Sequence, residues 1–563
     1  MGGIVTQSSV VEKHATPSMD ADELRLAQMG HTQELKRHFS ILSLIGLAST
    51  TTISWTGLGL GIVTEINAGG PGAIIYGFIL VTIMQSFLGA SLAEFVSSYP
   101  TEGGMYHWIA AVAPKRSSAF LSFLTGWLTV CGCEFQPPTL CPKKKPPPQI
   151  DRFVLNFNGG DPATGIFTTA STNLIFAQVV QALYALYHPD LAFQTWQTFV
   201  IYQILNALTA SVVLFGNRII PALNKFSLFY LQIGWLVVLV TVVACAPTHQ
   251  NSTFVFKTWI NNTGWSNNGI CFITGLVNPL YSLGGLDGVT HITEEMPNEL
   301  IFSPYSTVRN TSTDYKSPTK PSRNAPLAIA ITLSIAFVTG LTYLIGLMFS
   351  VQDYAALSTT STGLPLAELF HQVTQSAGGA FGLTFILFIA LGPCVISSQL
   401  STSRVLWAFA RDGAMPFSNI WSRVSQRFGI PFNAQLLVAA ANAVLGCLYL
   451  GSSTAFNSML GAAVTINNVA YLIPIATNML TGRGNMHKGA FHMGRLGWIV
   501  NGITVGWLIF AIIFFSFPYT MPLTVQNMNY TCVVVGGLPL FILLWWVIGS
   551  KQYKEKIAAA KEE

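Results

Sequence analysis

Asp287 is the residue whose surroundings most invite chemistry. It lies in Tyr281-Ser282-Leu283-Gly284-Gly285-Leu286-Asp287-Gly288, inside an apolar stretch long enough to cross a bilayer. A carboxylate at membrane depth is costly and marks a functional site by default. It could carry a coupling proton or pair with a substrate amine. The plainer reading is a structural acid bonded to neighbouring hydroxyls. Half a chain earlier, Gly57-Leu58-Gly59-Leu60-Gly61 interrupts the first apolar stretch in the same way. Glycine is a poor helix former, and backbone groups freed at a break cannot face lipid. Two Gly-interrupted segments at corresponding places in the two halves predict the substrate site of a secondary transporter.

Around the first break, Thr56, Gly57, Leu58 and Gly59 would offer unwound backbone N–H groups to a substrate carboxylate or other acceptor. Trp55 would offer a cation–π face to an ammonium group. The competing reading is a small-residue helix-packing face. Around the second break, the backbone of Ser282, Leu283, Gly284 and Gly285 would bind polar groups and Tyr281 would flank them. His291, Glu294 and Glu295 close that stretch, with Arg323 as the expected basic partner of a gate or loop brace. Glu94 sits where the second apolar stretch leaves the membrane, and an anchoring or gate role suits it better than substrate contact.

These residues need elements to hold them, and the composition names the kind. The chain is 51% hydrophobic and 9% charged, with a mean hydropathy of +0.50. Soluble domains run near a quarter charged. Apolar stretches recur at roughly 41–62, 70–96, 117–187, 198–215, 220–246, 268–290, 326–350, 380–402, 433–451, 456–480, 497–517 and 530–549. The expectation is an all-α polytopic membrane protein of about twelve transmembrane helices. It divides into a tail over 1–38, a transporter domain over 39–550 and a second tail over 551–563.

The net charge of +5 is small and gives no nucleic-acid signal, but its placement is informative. Arg218, Lys225, Arg309, Arg404, Arg411, Arg483 and Lys488 fall in alternate connections, as do their basic neighbours. Basic loops stay cytoplasmic, so both termini are expected inside. The sequons at Asn251, Asn261 and Asn529 then fall outside, and the one at Asn310 falls inside. The first 37 residues carry no apolar core of a cleaved signal peptide.

Two segments interrupt this plan. Residues 134–166 include Lys143, Lys144, Lys145 and a proline run, and they cut the third apolar stretch. If both flanks crossed separately, every later basic loop would change sides, so 117–187 reads as one crossing with an insert. The second segment, 299–320, is polar and lies in a basic loop. Both read as lineage-specific loops or translated introns; Cys133-Glu134-Phe135 can be encoded by a sequence containing a splice-donor consensus. The eight cysteines are mostly scattered singly through apolar stretches and read as small buried hydrophobes, with no metal-ligand spacing among them. No phosphate-binding Gly-x-x-x-x-Gly-Lys-Ser/Thr loop and no catalytic His/acid cluster is found, so neither an enzyme nor an ATP-driven pump is expected, and no cofactor.

Three runs carry a family resemblance. Ala93-Glu94-Phe95-Val96-Ser97-Ser98-Tyr99-Pro100-Thr101-Glu102-Gly103-Gly104-Met105-Tyr106 resembles the span-two signature of the amino acid–polyamine–organocation superfamily. Tyr281 to Gly288, then Glu295-Met296-Pro297-Asn298 and Ser322-Arg323-Asn324-Ala325-Pro326, resembles its span-six signature. Arg404-Val405-Leu406-Trp407-Ala408-Phe409-Ala410-Arg411-Asp412-Gly413-Ala414-Met415-Pro416 is similar to its span-eight exit. The likeness covers about 39–550 and is closest to the fungal amino acid/choline branch. It implies a leucine-transporter-type fold of two inverted five-helix repeats, with substrate between the two breaks. A glutamate linked to proton coupling stands in bacterial relatives where Asp287 falls. The resulting expectation is a plasma-membrane, proton-coupled importer of a small amine-bearing solute such as choline, GABA or another amino acid. A nutrient sensor without net flux, and an inactive product of retained introns, are the alternatives.

Overall fold

The computed structural model describes residues 40–132, 165–295 and 321–549, apart from residues 53, 192, 359, 361, 452 and 525–527, together with 551, 553 and 554. Both tails, the two inserted segments (apart from 165–166), Cys133, Asn310 and the Met296-Pro297-Asn298 run lie otherwise outside the described residues.

The described residues are almost wholly helical. Span one is built in three pieces, Ile41–Thr51, Ser54–Leu60 and Ile62–Asn67, and turns into span two, Gly70–Ser98, through Gly69 and Gly70. Both glycines have positive φ, 117° and 73°, which a side chain would strain. A short helix, Met105–Val112, leads to span three. Spans four and five are Thr195–Phe215 and Ile220–Cys245. Span six comprises Asn268–Gly275, Val277–Ser282 and a 3-10 stretch, Leu286–Glu295. Spans seven to twelve are Pro321–Ser350, Ala377–Arg411, Phe432–Gly451, Ser453–Leu480, Leu496–Phe514 and Thr531–Gly549. Among the described residues, eight helices are by themselves long and apolar enough to cross a membrane. A two-residue antiparallel pairing, Ala68 with Asn261 and Gly69 with Ile260, ties the turn after span one to the segment before span six.

The apolar core forms two clusters stacked along the spans, and one span after another passes between them at a common depth. Span one changes cluster between Ala48 and Trp55, span five between Leu228 and Leu231, and span six between Leu283 and Leu286. Spans seven and eight do so between Leu333 and Ala336 and between Val395 and Ile396. Buried hydroxyls fill this level: Ser49, Thr50, Thr51, Thr52 and Ser54 from span one, Thr332 from span seven and Ser397 from span eight. One cluster lies toward the basic loops, here called the basic side; the other lies toward Asn251 and Asn529, the sequon side.

The same boundary explains span three. Lys115–Gly132 contributes Phe123, Trp127, Leu128 and Val130 to the basic-side cluster, and Gly165–Ala185 contributes Ala170 to Leu183 to the sequon-side cluster. Neither helix is among the eight that could cross alone. The two helices of the third apolar stretch thus pack on opposite sides of the boundary between the clusters.

Candidate substrate site between the two broken spans

Span one is interrupted twice: at Thr52, earlier than the glycines predict, and again at Gly61, the last glycine of the predicted cluster. Helix stops at Thr52 and resumes at Ser54, so Trp55, Thr56, Gly57, Leu58 and Gly59 are helical rather than unwound. The Gly61 N–H even closes onto the Gly57 carbonyl at 3.0 Å. The cause is the run Ser49-Thr50-Thr51-Thr52, whose hydroxyls compete for helix carbonyls. Thr50 Oγ1 donates to Leu47 O at 2.8 Å, and Thr51 Oγ1 lies 3.0 and 3.1 Å from Leu47 O and Ala48 O. The glycines serve close approach instead. A methyl group on Gly59 would strike the Tyr343 hydroxyl and Leu366, and one on Gly61 would overlap Asn278 Oδ1.

The break in span six lies where the glycines predict it. Helix ends at Ser282, Gly285 turns with φ 72°, and the chain continues from Leu286 as a 3-10 stretch with a further kink at Ile292. Tyr281, Ser282, Leu283, Gly285 and Asp287 are buried, and Gly284 is half-buried. The two breaks touch: Thr51 Oγ1 lies 3.3 Å from the Gly285 carbonyl, and Gly288 packs against the Thr51 side chain.

Asp287 is 1% exposed, and its Oδ2 lies 3.4 Å from His291 Nε2, one turn on. The other ring nitrogen of His291 meets the Glu102 carbonyl at 3.0 Å. His291 is thus braced by the loop after span two, while Arg323 is exposed and no acid pairs with it among the described residues. The side chains of Glu294 and Glu295 lie outside the described residues. Trp55 is fully buried; its indole donates to Leu231 O in span five at 3.2 Å, and its ring meets Tyr343 edge-on at 5.4 Å. It anchors the short helix between spans five and seven.

Glu94 is fully buried at the end of span two. Arg483, from the connection after span ten, places one nitrogen 2.7 and 2.9 Å from its two carboxylate oxygens. His492 Nδ1 at 2.8 Å and the Met493 N–H at 3.0 Å complete the clasp. A second clasp joins Asp412 to His107 at 2.8 Å and to the Tyr106 hydroxyl at 2.9 Å. Burial and the neighbouring Asp412 push the Tyr106 hydroxyl well above its usual range, so it stays a donor.

Sequence reasoning missed Glu65, Asn278 and Tyr343. Asn278 Nδ2 donates to Glu65 Oε2 at 2.9 Å and to Leu58 O at 3.2 Å, linking spans one and six on the sequon side. The apolar stretch as drawn ended at 62, which put Glu65 outside the membrane; helix to Asn67 keeps it among the spans. Among the described residues no group of His, Cys, Asp and Glu could hold a metal.

Twelve spans, two of them broken where they face one another, define a transporter of the leucine-transporter type. A solved manganese transporter from Eremococcus coleocola superposes with a TM-score of 0.51 at 13% identity, covering 98% of this chain and all of that one. The amino acid permease family profile matches residues 152–538. The chain is 32% identical to a choline transporter of Saccharomyces cerevisiae, over 98% of this chain and 88% of that one. It is 28% identical to an amino-acid permease of Arabidopsis thaliana, over 95% and 96%. The chain belongs to the amino acid permease family.

Proposed function

We propose that this permease imports a small amine-bearing solute together with a proton, by alternating access. One observation carries the reading: Asp287 lies buried directly after the break of span six, where span one also breaks and touches it. Backbone at 54–57 and at 283–285 holds the substrate's polar groups. Tyr281 flanks the ammonium, and Trp55 holds the first break in place from behind. Asp287 takes up the proton, with His291 orienting it. Glu94 and Arg483 close the basic side, which faces the cytoplasm of the plasma membrane, with both termini inside. Arg323 and Glu295 border the same gate.

Choline is the first solute to try, because Ser54-Trp55-Thr56-Gly57 resembles choline-type members and the yeast relative is named for choline transport. The test is uptake of labelled choline and labelled GABA at pH 5 and pH 7, in permease-deficient cells that display the chain at their surface. Saturable uptake, stronger at pH 5, is expected. Absence of uptake for amines and amino acids alike, with the protein at the surface, refutes the reading.

A further inference from the structure

Glu65 is a buried acid that this reading leaves without work. It is 2% exposed near the sequon-side end of span one, and among the described residues no Lys, Arg or His lies within ion-pair distance of it. Its partner is the Asn278 carboxamide, itself fully buried in span six. That same amide nitrogen also reaches the Leu58 carbonyl, in the short helix that follows the first break. Two backbone features fit the arrangement. Gly61 leaves the space that Asn278 Oδ1 occupies, and the Tyr354 hydroxyl holds the Ile66 carbonyl at 3.2 Å, one residue beyond Glu65. A carboxyl group in this position without a countercharge depends on the Asn278 hydrogen bond to offset part of its burial cost.

We infer that Glu65 is a positioning residue: through Asn278 it joins the sequon-side halves of the two broken spans into one moving piece and fixes the first break from its far end. The joint is a property of the fold. Its part in transport rests on the permease reading above. When the site opens to the sequon side, Ser54–Leu60 and Val277–Ser282 then move together, and the substrate meets a preformed pair of breaks.

The test is amide hydrogen exchange on the purified full-length protein, with uptake measured in parallel. Glu65→Ala is expected to raise exchange about tenfold in both 54–61 and 277–283, with Asn278→Ala doing the same. The double substitution is expected to go no further than Asn278→Ala alone, because that substitution already removes the link to Glu65 along with the contact to Leu58 O. Glu65→Gln keeps a carbonyl acceptor for Asn278 Nδ2 and stays near wild type. In uptake, Glu65→Ala lowers the maximal rate about tenfold and leaves KM nearly unchanged. Should Glu65→Ala not fold, Gly61→Ala, whose methyl displaces the carboxamide, is read in its place. Exchange that rises in span one alone, or not at all, overturns the inference, as do additive effects or an unchanged maximal rate in Glu65→Ala. A wild-type protein that carries no solute removes the permease reading and leaves the joint to be judged by exchange.

Discussion

The hydroxyl of Thr51 lies 3.3 Å from the carbonyl of Gly285, so the last turn of helix before one break caps the backbone opened by the other. The same hydroxyl is within reach of Leu47 O and Ala48 O in its own helix. It has one proton for three acceptors. Donation across the gap and donation back into span one are therefore alternatives.

Thr51→Val keeps the shape and removes the proton. The Gly285 carbonyl then loses a donor in a buried setting, a cost of about 1 kcal/mol. Uptake should fall several-fold in maximal rate, with surface protein unchanged on biotinylation. Full activity in this variant would show that the contact is incidental.

Asp287→Asn keeps size and hydrogen-bonding capacity while removing the exchangeable proton. Uptake measured from pH 5 to pH 7 should lose its acid stimulation, while residual exchange of solute across the membrane persists. His291→Gln, which removes the ring beside the carboxylate, should shift the pH profile without abolishing it. An Asp287→Asn protein that still takes up solute faster at pH 5 excludes this residue as the proton carrier.

Arg483→Ala leaves the fully buried Glu94 carboxylate with only His492 and the Met493 N–H, at a cost of about 3–5 kcal/mol. Surface expression and the thermal midpoint should both drop. Adding Glu94→Gln should restore much of the loss, since the stranded charge goes with it. Fluorescence-detected thermal unfolding of the three variants measures this directly.

Asn251 is exposed at the start of a short helix, whereas Asn529 is buried and its amide nitrogen donates to Phe515 O and Phe517 O, each at 3.0 Å. A sugar chain needs that nitrogen free. Asn251→Gln should therefore remove a glycosidase-sensitive mobility shift, and Asn529→Gln should not. A glycan at Asn251 would also place the sequon side outside the cell.

The broad plan was legible because it depends on composition and on strong local signals. Apolar length gave the spans, and Gly284-Gly285 beside Asp287 the break in span six. In span one the glycines marked the interruption at Gly61, whereas the earlier break at Thr52 was not foreseen. A glycine is read locally as a helix breaker, but Gly59 and Gly61 are set by Tyr343 and Asn278, which lie hundreds of residues away. Glu65 was hidden by a boundary drawn on hydropathy, which cannot see that Asn278 supplies a partner. The partner of Glu94 was out of reach of a local reading, because Arg483 closes that clasp from a later connection that folds back over span two.

That clasp has a consequence for biogenesis. Glu94 and Arg483 are 389 residues apart, so span two enters the bilayer long before its counterion exists. At ordinary elongation rates the delay is roughly 20–80 s. During that interval an acid destined for full burial must stay hydrated at the membrane surface, or be shielded by a helper. Ribosome-bound chains ending before residue 483 should hold span two shallow, and about the last seventh of synthesis should draw it to its final depth.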